Sequence, residues 1–254
     1  MFIDTHVHLN HENIYEKIDQ VIGEAKNNNV KKFIVVGYDL QTSIKAIEIA
    51  EKYECCFAAI GFHPTEIATY TDEEYEWLDI ASNNPKVVAI GEVGFDFHWD
   101  TTTKEEQTTA FIRQINIAKK HNLPLIIHSR DAIQLTFDTL KQNKADEVGG
   151  VMHSYSGSLE MAKEFVKLNF MIGISGPVTF KNGKVMKEVV AGIDLKYLLS
   201  ETDSPYLTPH PYRGTENSPK YIPLIVEEIA KIKNVSINDV ETQIEKNVNK
   251  LFGV

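Results

Sequence analysis

Short apolar runs alternate with longer amphipathic segments along the whole chain of 254 residues. The short runs are apolar at nearly every position, as expected of strands buried on both faces of a parallel sheet. The longer segments repeat apolar residues every three or four positions, which predicts amphipathic helices. The predicted strands are residues 2–7, 32–36, 56–60, 87–90, 124–127, 148–152, 170–174 and 197–199. The predicted helices are residues 11–28, 41–53, 72–82, 104–121, 131–143, 158–168, 183–190, 219–233 and 237–252.

This alternation of strands and helices predicts the fold class. Consecutive strand–helix–strand units are right-handed and place their strands parallel in one sheet. Eight such units favour a closed (β/α)8 TIM barrel, an α/β fold, over an open sheet. Because no linker or low-complexity segment interrupts the pattern, we predict a single domain over residues 1–254. The longest irregular segment, residues 202–219, contains four prolines, and loops of this length are often functional.

Composition limits which partners the protein is expected to bind and in which compartment it is expected. The formal net charge is −10, so a basic footprint for nucleic acid across the whole fold is absent, and an anionic substrate would need a local positive feature. No apolar run approaches the roughly 18 residues that span a bilayer, and the N-terminus has no secretory pattern. The only cysteines, Cys55 and Cys56, are adjacent and form no disulfide framework. We therefore expect a cytoplasmic protein that does not contact membranes.

Candidate metal ligands follow six of the predicted strands. His6 and His8 stand one residue apart, so on a strand they share a face. Two such histidines alone are a weak signal, because chance produces many pairs. After the other five strands, the candidate ligands are His63; Glu92 and Asp96; His128; His153; and Glu201 and Asp203.

These strand ends are expected to meet at one face. The carboxyl ends of barrel strands form a single mouth, where barrel enzymes place their chemistry. Imidazole and carboxylate together suit Zn, Mn, Co or Ni, and Mg where carboxylate and water dominate. No cysteine is near, which argues against a structural zinc knot. The sequence therefore predicts a divalent metal centre at the mouth.

Several motifs resemble one known family. They are DTHVHL at 4–9, GFHP at 61–64, GEVGFD at 91–96, HSRDA at 128–132, HSYSG at 153–157, ETDSPYL at 201–207, and RG at 213–214 followed by Asn217 and Pro219. In order and spacing they resemble the TatD family of metal-dependent nucleases, within the amidohydrolase-like barrels. Asn247 and residues 251–252 also resemble the last helix of that family. This chain differs from the family pattern at two places. Thr65 stands where family members often have histidine, and residues 97–100 stand where they usually have an aromatic pair.

The resemblance implies a centre of two divalent ions, Mg, Mn or Zn. By position, His6, His8 and Asp203 would hold one ion. His128 and His153 would hold the other. Glu92 would bridge the two ions and so belong to the catalytic residues. Two ions roughly 3.5–4 Å apart stabilise both the attacking and the leaving oxygen of a phosphodiester displacement.

The remaining roles are more open. We expect Asp203 to act as general base as well as ligand, with a role as ligand alone as the alternative. His63 resembles a residue that lines the site and contacts phosphate or water, although Pro64 could instead hold it against the rim. Arg213 and Arg130 are candidate phosphate contacts, with an ion pair to Asp131 as the alternative for Arg130. Tyr206, Trp99 and Phe62 are candidates for stacking on bases, with loop packing as the alternative.

We therefore predict a metal-dependent hydrolase that cleaves phosphodiester bonds of DNA, with a preference for 3′ ends or single strands. RNA is a second possible nucleic-acid substrate. The same scaffold supports other chemistries. One alternative is hydrolysis of another ester or amide, as in a D-aminoacyl-tRNA deacylase or a small-molecule esterase. A second alternative is a binding protein with a vestigial site, which the complete ligand set argues against.

Overall fold

The computed structural model describes residues 1–254 and contains one sheet of eight strands that follow one another in chain order. The strands are β1 (Phe2–Val7), β2 (Val30–Val36), β3 (Cys56–Ile60), β4 (Val87–Asp96), β5 (Leu125–Arg130), β6 (Gly150–Met152), β7 (Phe170–Ile174) and β8 (Leu198–Ser200). Every neighbouring pair is parallel. The helices are α1 (Glu12–Tyr15), α2 (Ile18–Asn27), α3 (Leu40–Lys52), α4 (Asp72–Ala81), α5 (Lys104–His121), α6 (Ile133–Gln142), α7 (Leu159–Lys167), α8 (Lys184–Gly192), α9 (Ile222–Lys233) and α10 (Ile237–Phe252).

The sheet closes where β8 returns to β1. The Ser200 hydroxyl donates to the Ile3 carbonyl, and the Thr5 hydroxyl donates to the Ser200 carbonyl, each at 3.1 Å. Just beyond β8, the Asp203 amide donates to the His6 carbonyl at 2.9 Å. These bonds join the first and last strands, which confirms the predicted (β/α)8 barrel and brings the two ends of the metal-ligand motif series together.

The strands are buried because helices cover the outside of the barrel. β4 is buried at all ten positions, and β7 and β8 at every position. Several helices begin at side chains that bond the free amides of the first turn, as Thr103 does for α5 and Ser236 for α10. No helix has the length and apolarity needed to cross a membrane.

One predicted helix is divided in two. The helix expected over 11–28 ends at Tyr15 and resumes at Ile18, because Lys17 leaves the helical conformation with φ −120° and ψ 24°. Both apolar residues that flank the break, Ile14 and Ile18, remain buried. Lys17 itself forms an ion pair with Glu216 of the long loop after β8. The break therefore lets Ile14 and Ile18 both pack in the core while Lys17 contacts the loop after β8.

β4 and β5 extend further toward the mouth than the apolar pattern predicts. β4 continues to Asp96, because its second half pairs with β5 in the register Gly94 to His128 and Asp96 to Arg130. His128 is consequently inside a strand and not after it. Gly94 has φ +143°, and a Cβ there would lie 2.0 Å from the His128 carbonyl oxygen. Only glycine permits this close approach of the two strands.

We expect Gly94→Ala to lower the free energy of unfolding by about 3 kcal/mol or more, since both the backbone conformation and the space are unsuitable for a side chain. Gly23→Ala is the matched control. Gly23 is inside α2 with nothing within 4 Å of a new Cβ, so alanine there should stabilise by about 0.5–1 kcal/mol. Denaturant unfolding of both variants measures the difference. Equal stability of the two variants would contradict the tight β4–β5 approach.

Candidate metal centre

Six of the predicted site residues converge at the mouth of the barrel. They are His6 at the end of β1, His8 just beyond it, Glu92 in β4, His128 in β5, His153 after β6 and Asp203 after β8. By their place in the motif series, we call His6, His8 and Asp203 the first half-site and His128 and His153 the second half-site, with Glu92 shared between them. The two half-sites are in contact, because the rings of His6 and His153 stack with centroids 3.5 Å apart and Nε2 of His153 lies 3.6 Å from Oδ1 of Asp203.

The first half-site is compact. Nε2 of His6 lies 3.3 Å from Nε2 of His8, and each nitrogen lies within 3.6 Å of Oδ1 of Asp203. All three donor atoms lie within 4.8 Å of one another, a spacing that allows them to hold one ion. His6 is fully buried, whereas the Asp203 side chain keeps 13% of its surface exposed. Asp203 is therefore the member of this group that water in the mouth can reach.

Glu92 faces both half-sites. Its Oε1 lies 2.8 Å from Nδ1 of His128 and 3.8 Å from Nε2 of His153. Its Oε2 lies 3.4 Å from Nε2 of His6 and 3.9 Å from Nε2 of His8. One carboxylate thus presents a separate oxygen to each half-site, which is the arrangement a bridging ligand requires.

Each histidine ring has one nitrogen that faces the centre and one outer nitrogen that faces away from it. The contacts of the outer nitrogen indicate which nitrogen is free to bind a cation. Nδ1 of His8 donates to the Val36 carbonyl at 2.9 Å, so the Nε2 lone pair faces inward. Nε2 of His128 lies 2.9 Å from Oδ2 of Asp96 and its Nδ1 lies 2.8 Å from Oε1 of Glu92, so this ring contacts a carboxylate on both sides. Lone pairs and carboxylate oxygens at such distances repel unless a cation or proton lies between them. This donor set of imidazoles and carboxylates fits divalent cations.

The pKa values show how strongly these groups interact. Burial alone would raise the pKa of Glu92, but His153, His128 and His6 outweigh it and hold the pKa well below its ordinary value. Burial would lower the pKa of His153, yet Glu201, Asp203 and Glu92 raise it to about 10. Protons and divalent cations therefore compete for the same nitrogens, as is usual for metal ligands.

His63 lies at the edge of the second half-site. Its Nε2 is 3.9 Å from Oε1 of Glu92, and its ring centroid is 4.3 Å from that of His128 in an edge-on arrangement. Nδ1 lies 2.7 Å from the hydroxyl of Thr65. Burial and the neighbouring His128 lower the pKa of His63 to about 3, so the ring is neutral at physiological pH. The ring therefore lies beside Glu92 and His128, and its contact with substrate or water stays a prediction.

Three of the predicted substrate-binding residues, Tyr206, Arg213 and Arg130, are at the rim of the mouth, whereas His63 lies further in. Tyr206 is 51% exposed, and its ring centroid lies 6.2 Å from that of His8. Arg213 is exposed and stacks on Phe180, with its guanidinium carbon 4.3 Å from the ring centroid. Arg130 is exposed at the end of β5. The ion pairs of this strand end run through Glu92 and Asp96, and none joins Arg130 to Asp131.

The expectation that Phe62 stacks on bases is wrong. Phe62 is 1% exposed and packs edge-to-face against Tyr70 and Tyr75 behind the barrel wall. Its neighbour His63 points toward the centre instead. Trp99, by contrast, is 56% exposed and remains available at the rim.

Two carboxylates beside the centre were not assigned a role by the sequence reasoning. Asp96 contacts the outer nitrogen of His128, and Oε1 of Glu201 lies 2.9 Å from Nδ1 of His153. A signal for Asp96 was present, since Glu92, Gly94 and Asp96 alternate along β4 and so share one face. Glu201 lies directly after β8, so its position at a strand end is visible in the sequence, although its contact with His153 is not.

Unusual backbone conformations concentrate at the mouth. Asp131, Ser154, Asp203 and Leu207 all have positive φ, between 39° and 58°, and all follow the ends of barrel strands. Left-handed conformations are uncommon for residues other than glycine and asparagine, and they cluster at functional sites. The strain is stored where the metal-ligand side chains are presented.

Comparison with known proteins agrees with this geometry. A family model described as TatD related DNase matches residues 3–253. The uncharacterized metal-dependent hydrolase YabD of Bacillus subtilis (strain 168) is 44% identical over 254 residues, which is 100% of both chains. The uncharacterized metal-dependent hydrolase YcfH of Escherichia coli (strain K12) is 31% identical and covers 99% of this chain and 96% of its own length.

A solved structure shares the whole fold. YJJV, a TatD homologue from Escherichia coli K12, superposes with a TM-score of 0.95 at 30% identity and covers 100% of this chain and 98% of its own. The family match spans nearly every residue and includes all the strand ends that carry the two half-sites. The chain therefore belongs to the TatD-related DNase family, and its relatives YabD and YcfH are named metal-dependent hydrolases.

Proposed function

We propose that this protein is a two-metal nuclease that hydrolyses phosphodiester bonds at DNA ends or in single strands. The observation that carries the proposal is the placement of Glu92 at the mouth, where one oxygen faces His6 and the other faces His128. The first half-site would hold one divalent ion and the second half-site the other. When bound, such a pair activates water and stabilises negative charge on the attacked phosphate.

Charge supports an anionic substrate. Glu92 and Asp203 contribute −2 to the centre, Asp96 and Glu201 beside it contribute −2 more, the imidazoles are neutral as ligands, and two divalent ions add +4. The two ions would offset these four carboxylates, so the mouth would be far less negative than the body of a chain of net charge −10. Arg213 and Arg130, both exposed at the rim without an acidic partner, then make the mouth locally positive. An acidic body with a positive mouth favours a strand end over the length of a duplex.

Asp203 is the residue proposed to move a proton. It is the exposed carboxylate of the first half-site, and burial is outweighed by His153 and His8, which lower its pKa. The carboxylate is therefore ionised at neutral pH and can accept a proton from the attacking water. Glu92 is more deeply buried and faces the histidines, which suits a structural bridge more than proton transfer.

Exposed aromatic rings at the mouth support a substrate with bases. Trp99 follows β4, whereas Tyr206 and Tyr212 are in the loop after β8. Aromatic side chains stack on bases of single strands with little sequence preference. These rings are on opposite sides of the metal centre, so an unpaired strand could pass between them.

Tyr206→Ala is expected to raise the KM for single-stranded DNA by about 5- to 100-fold with little change in kcat, because stacking on a base is worth about 1–3 kcal/mol. Tyr206→Phe keeps the ring and should stay close to wild type. Steady-state kinetics on a short labelled oligonucleotide separate the two parameters. If alanine and phenylalanine behave alike, Tyr206 does not stack on the substrate.

A single assay panel tests the proposed function. Labelled single-stranded DNA and RNA, a misacylated tRNA and a small ester are each incubated with Mg²⁺, Mn²⁺ or Zn²⁺, and with EDTA. The proposal expects DNA hydrolysis that EDTA abolishes. Turnover of the ester or the tRNA without DNA hydrolysis would transfer the function to another hydrolase on this scaffold, and no turnover of any substrate would favour a binding role.

A further inference from the structure

The four histidines of the two half-sites differ in what contacts their outer nitrogens. In the second half-site both outer nitrogens lie 2.9 Å from a carboxylate oxygen, of Asp96 for His128 and of Glu201 for His153. The first contact is a hydrogen bond, whereas the second is an ion pair that is not aligned as a hydrogen bond. In the first half-site neither outer nitrogen meets a carboxylate. His8 bonds to the Val36 carbonyl, and Nδ1 of His6 is buried with no partner.

Asp96 is held rigidly against His128. Its Oδ2 accepts from His128, while its Oδ1 accepts from the amides of His98 at 2.9 Å and Trp99 at 3.3 Å. The buried Gln107 side chain fixes the Asp96 main chain, accepting from its amide at 3.0 Å and donating to its carbonyl at 2.8 Å. The carboxylate therefore has one available orientation, and it sets the plane of the His128 ring.

Glu201 is fully buried behind His153. Its Oε1 accepts a hydrogen bond from the Ser154 amide and lies beside Nδ1 of His153, whereas its Oε2 has no partner. β7 passes beside it at Gly173, where a Cβ would lie 2.6–2.8 Å from the three carboxylate atoms. A buried carboxylate with an unpaired oxygen is costly. Its retention, with space made for it by a glycine, indicates a role at the centre.

We propose that Asp96 and Glu201 are positioning residues that make the second half-site the tighter of the two cation sites, so that the two ions bind in a fixed order. A carboxylate against the outer nitrogen, hydrogen-bonded as Asp96 is or ion-paired as Glu201 is, orients the ring and raises its basicity as a ligand, and loss of such a partner costs about 10- to 100-fold in metal affinity. The inference rests on the metal centre of the proposed function and not on the identity of the substrate.

The test is a titration of Zn²⁺ alone into the metal-free, full-length protein, followed by calorimetry with a competing chelator. Wild type should bind two ions in two resolved steps. Asp96→Asn and Glu201→Gln should each weaken the tighter step by about 10- to 100-fold and leave the weaker step within about threefold. Asp131→Asn is the matched control, because it removes one exposed carboxylate from the mouth that contacts no imidazole, and it should change neither step.

Gly173→Ala tests the same contact from the other side. The new Cβ should displace the Glu201 carboxylate and weaken the tighter step as Glu201→Gln does. In a Glu201→Ala background, the glycine substitution should add nothing, since the colliding group is gone. Circular dichroism confirms that each variant folds. If a Glu201 variant does not fold, Asp96→Asn and Gly173→Ala still decide the outcome.

Two equal binding steps in wild type, or variants that weaken only the looser step or neither step, would overturn the inference. These results are separable from failure of the proposed function. If the Asp96, Glu201 and Gly173 variants leave both binding steps unchanged while the protein hydrolyses DNA, this inference is wrong and the proposed function stands. If the variants weaken the tighter step as expected but the wild-type protein hydrolyses no DNA, the proposed function is wrong and this inference stands.

Discussion

Asp203→Asn is expected to lower kcat for DNA hydrolysis by about 10³-fold at saturating Mn²⁺, because asparagine can still coordinate an ion but cannot accept a proton from water. Asp203 is the exposed carboxylate of the first half-site, and its lowered pKa keeps it ionised at neutral pH. The measurement is kcat on an end-labelled single strand over a range of Mn²⁺ concentrations.

The metal dependence separates the two roles of Asp203. If saturating Mn²⁺ restores kcat to near the wild-type value, Asp203 is a ligand only and the proposed general base is wrong. Asp131→Asn is the control, since it removes a nearby exposed carboxylate at the end of β5 and retains a residue type that tolerates a positive φ. That variant should keep wild-type kcat.

Glu92→Gln should lower the retained divalent ions from two per chain to at most one and reduce kcat by at least about 10³-fold. The carboxylate faces His128 with one oxygen and His6 with the other, so its charge contributes to both half-sites. Loss of one charged ligand shared by two cations removes several kcal/mol of stabilisation. Metal analysis after dialysis, combined with kcat, checks both parts.

A Glu92→Gln variant that retains two ions would contradict the bridging role. A variant that loses one ion but keeps its activity would show that a single ion is sufficient for the reaction. Either result is interpretable only if the variant folds, which thermal unfolding establishes. Asp131→Asn again provides the matched loss of one charge at the mouth.

The convergence of the candidate ligands was predictable from the sequence, because a parallel barrel brings every strand end to one face. His6, His8, His128, His153 and Asp203 each follow or end an apolar run, so the fold class alone places them together. The order of the strands was equally accessible, since consecutive strand–helix units pair in chain order.

The outer contacts were not predictable in the same way. Whether Glu201 meets the outer nitrogen of His153 depends on how β6 and β8 pass on either side of β7, and on the space left at Gly173. The apolar pattern also ends β4 too early, because Gly91 and Gly94 interrupt it although both are in the strand. The burial of Phe62 depends on Tyr70 and Tyr75, which belong to a separate loop and helix.

The most direct test of a two-ion phosphodiesterase centre is a stoichiometric titration of Zn²⁺ or Mn²⁺ into metal-free protein, with bound ion and hydrolysis of a 3′-labelled single strand measured in the same samples. The account predicts that hydrolysis remains low during the first equivalent and rises with the second, as both half-sites around Glu92 become filled. Full activity at one equivalent, or no hydrolysis with two ions bound, would contradict it.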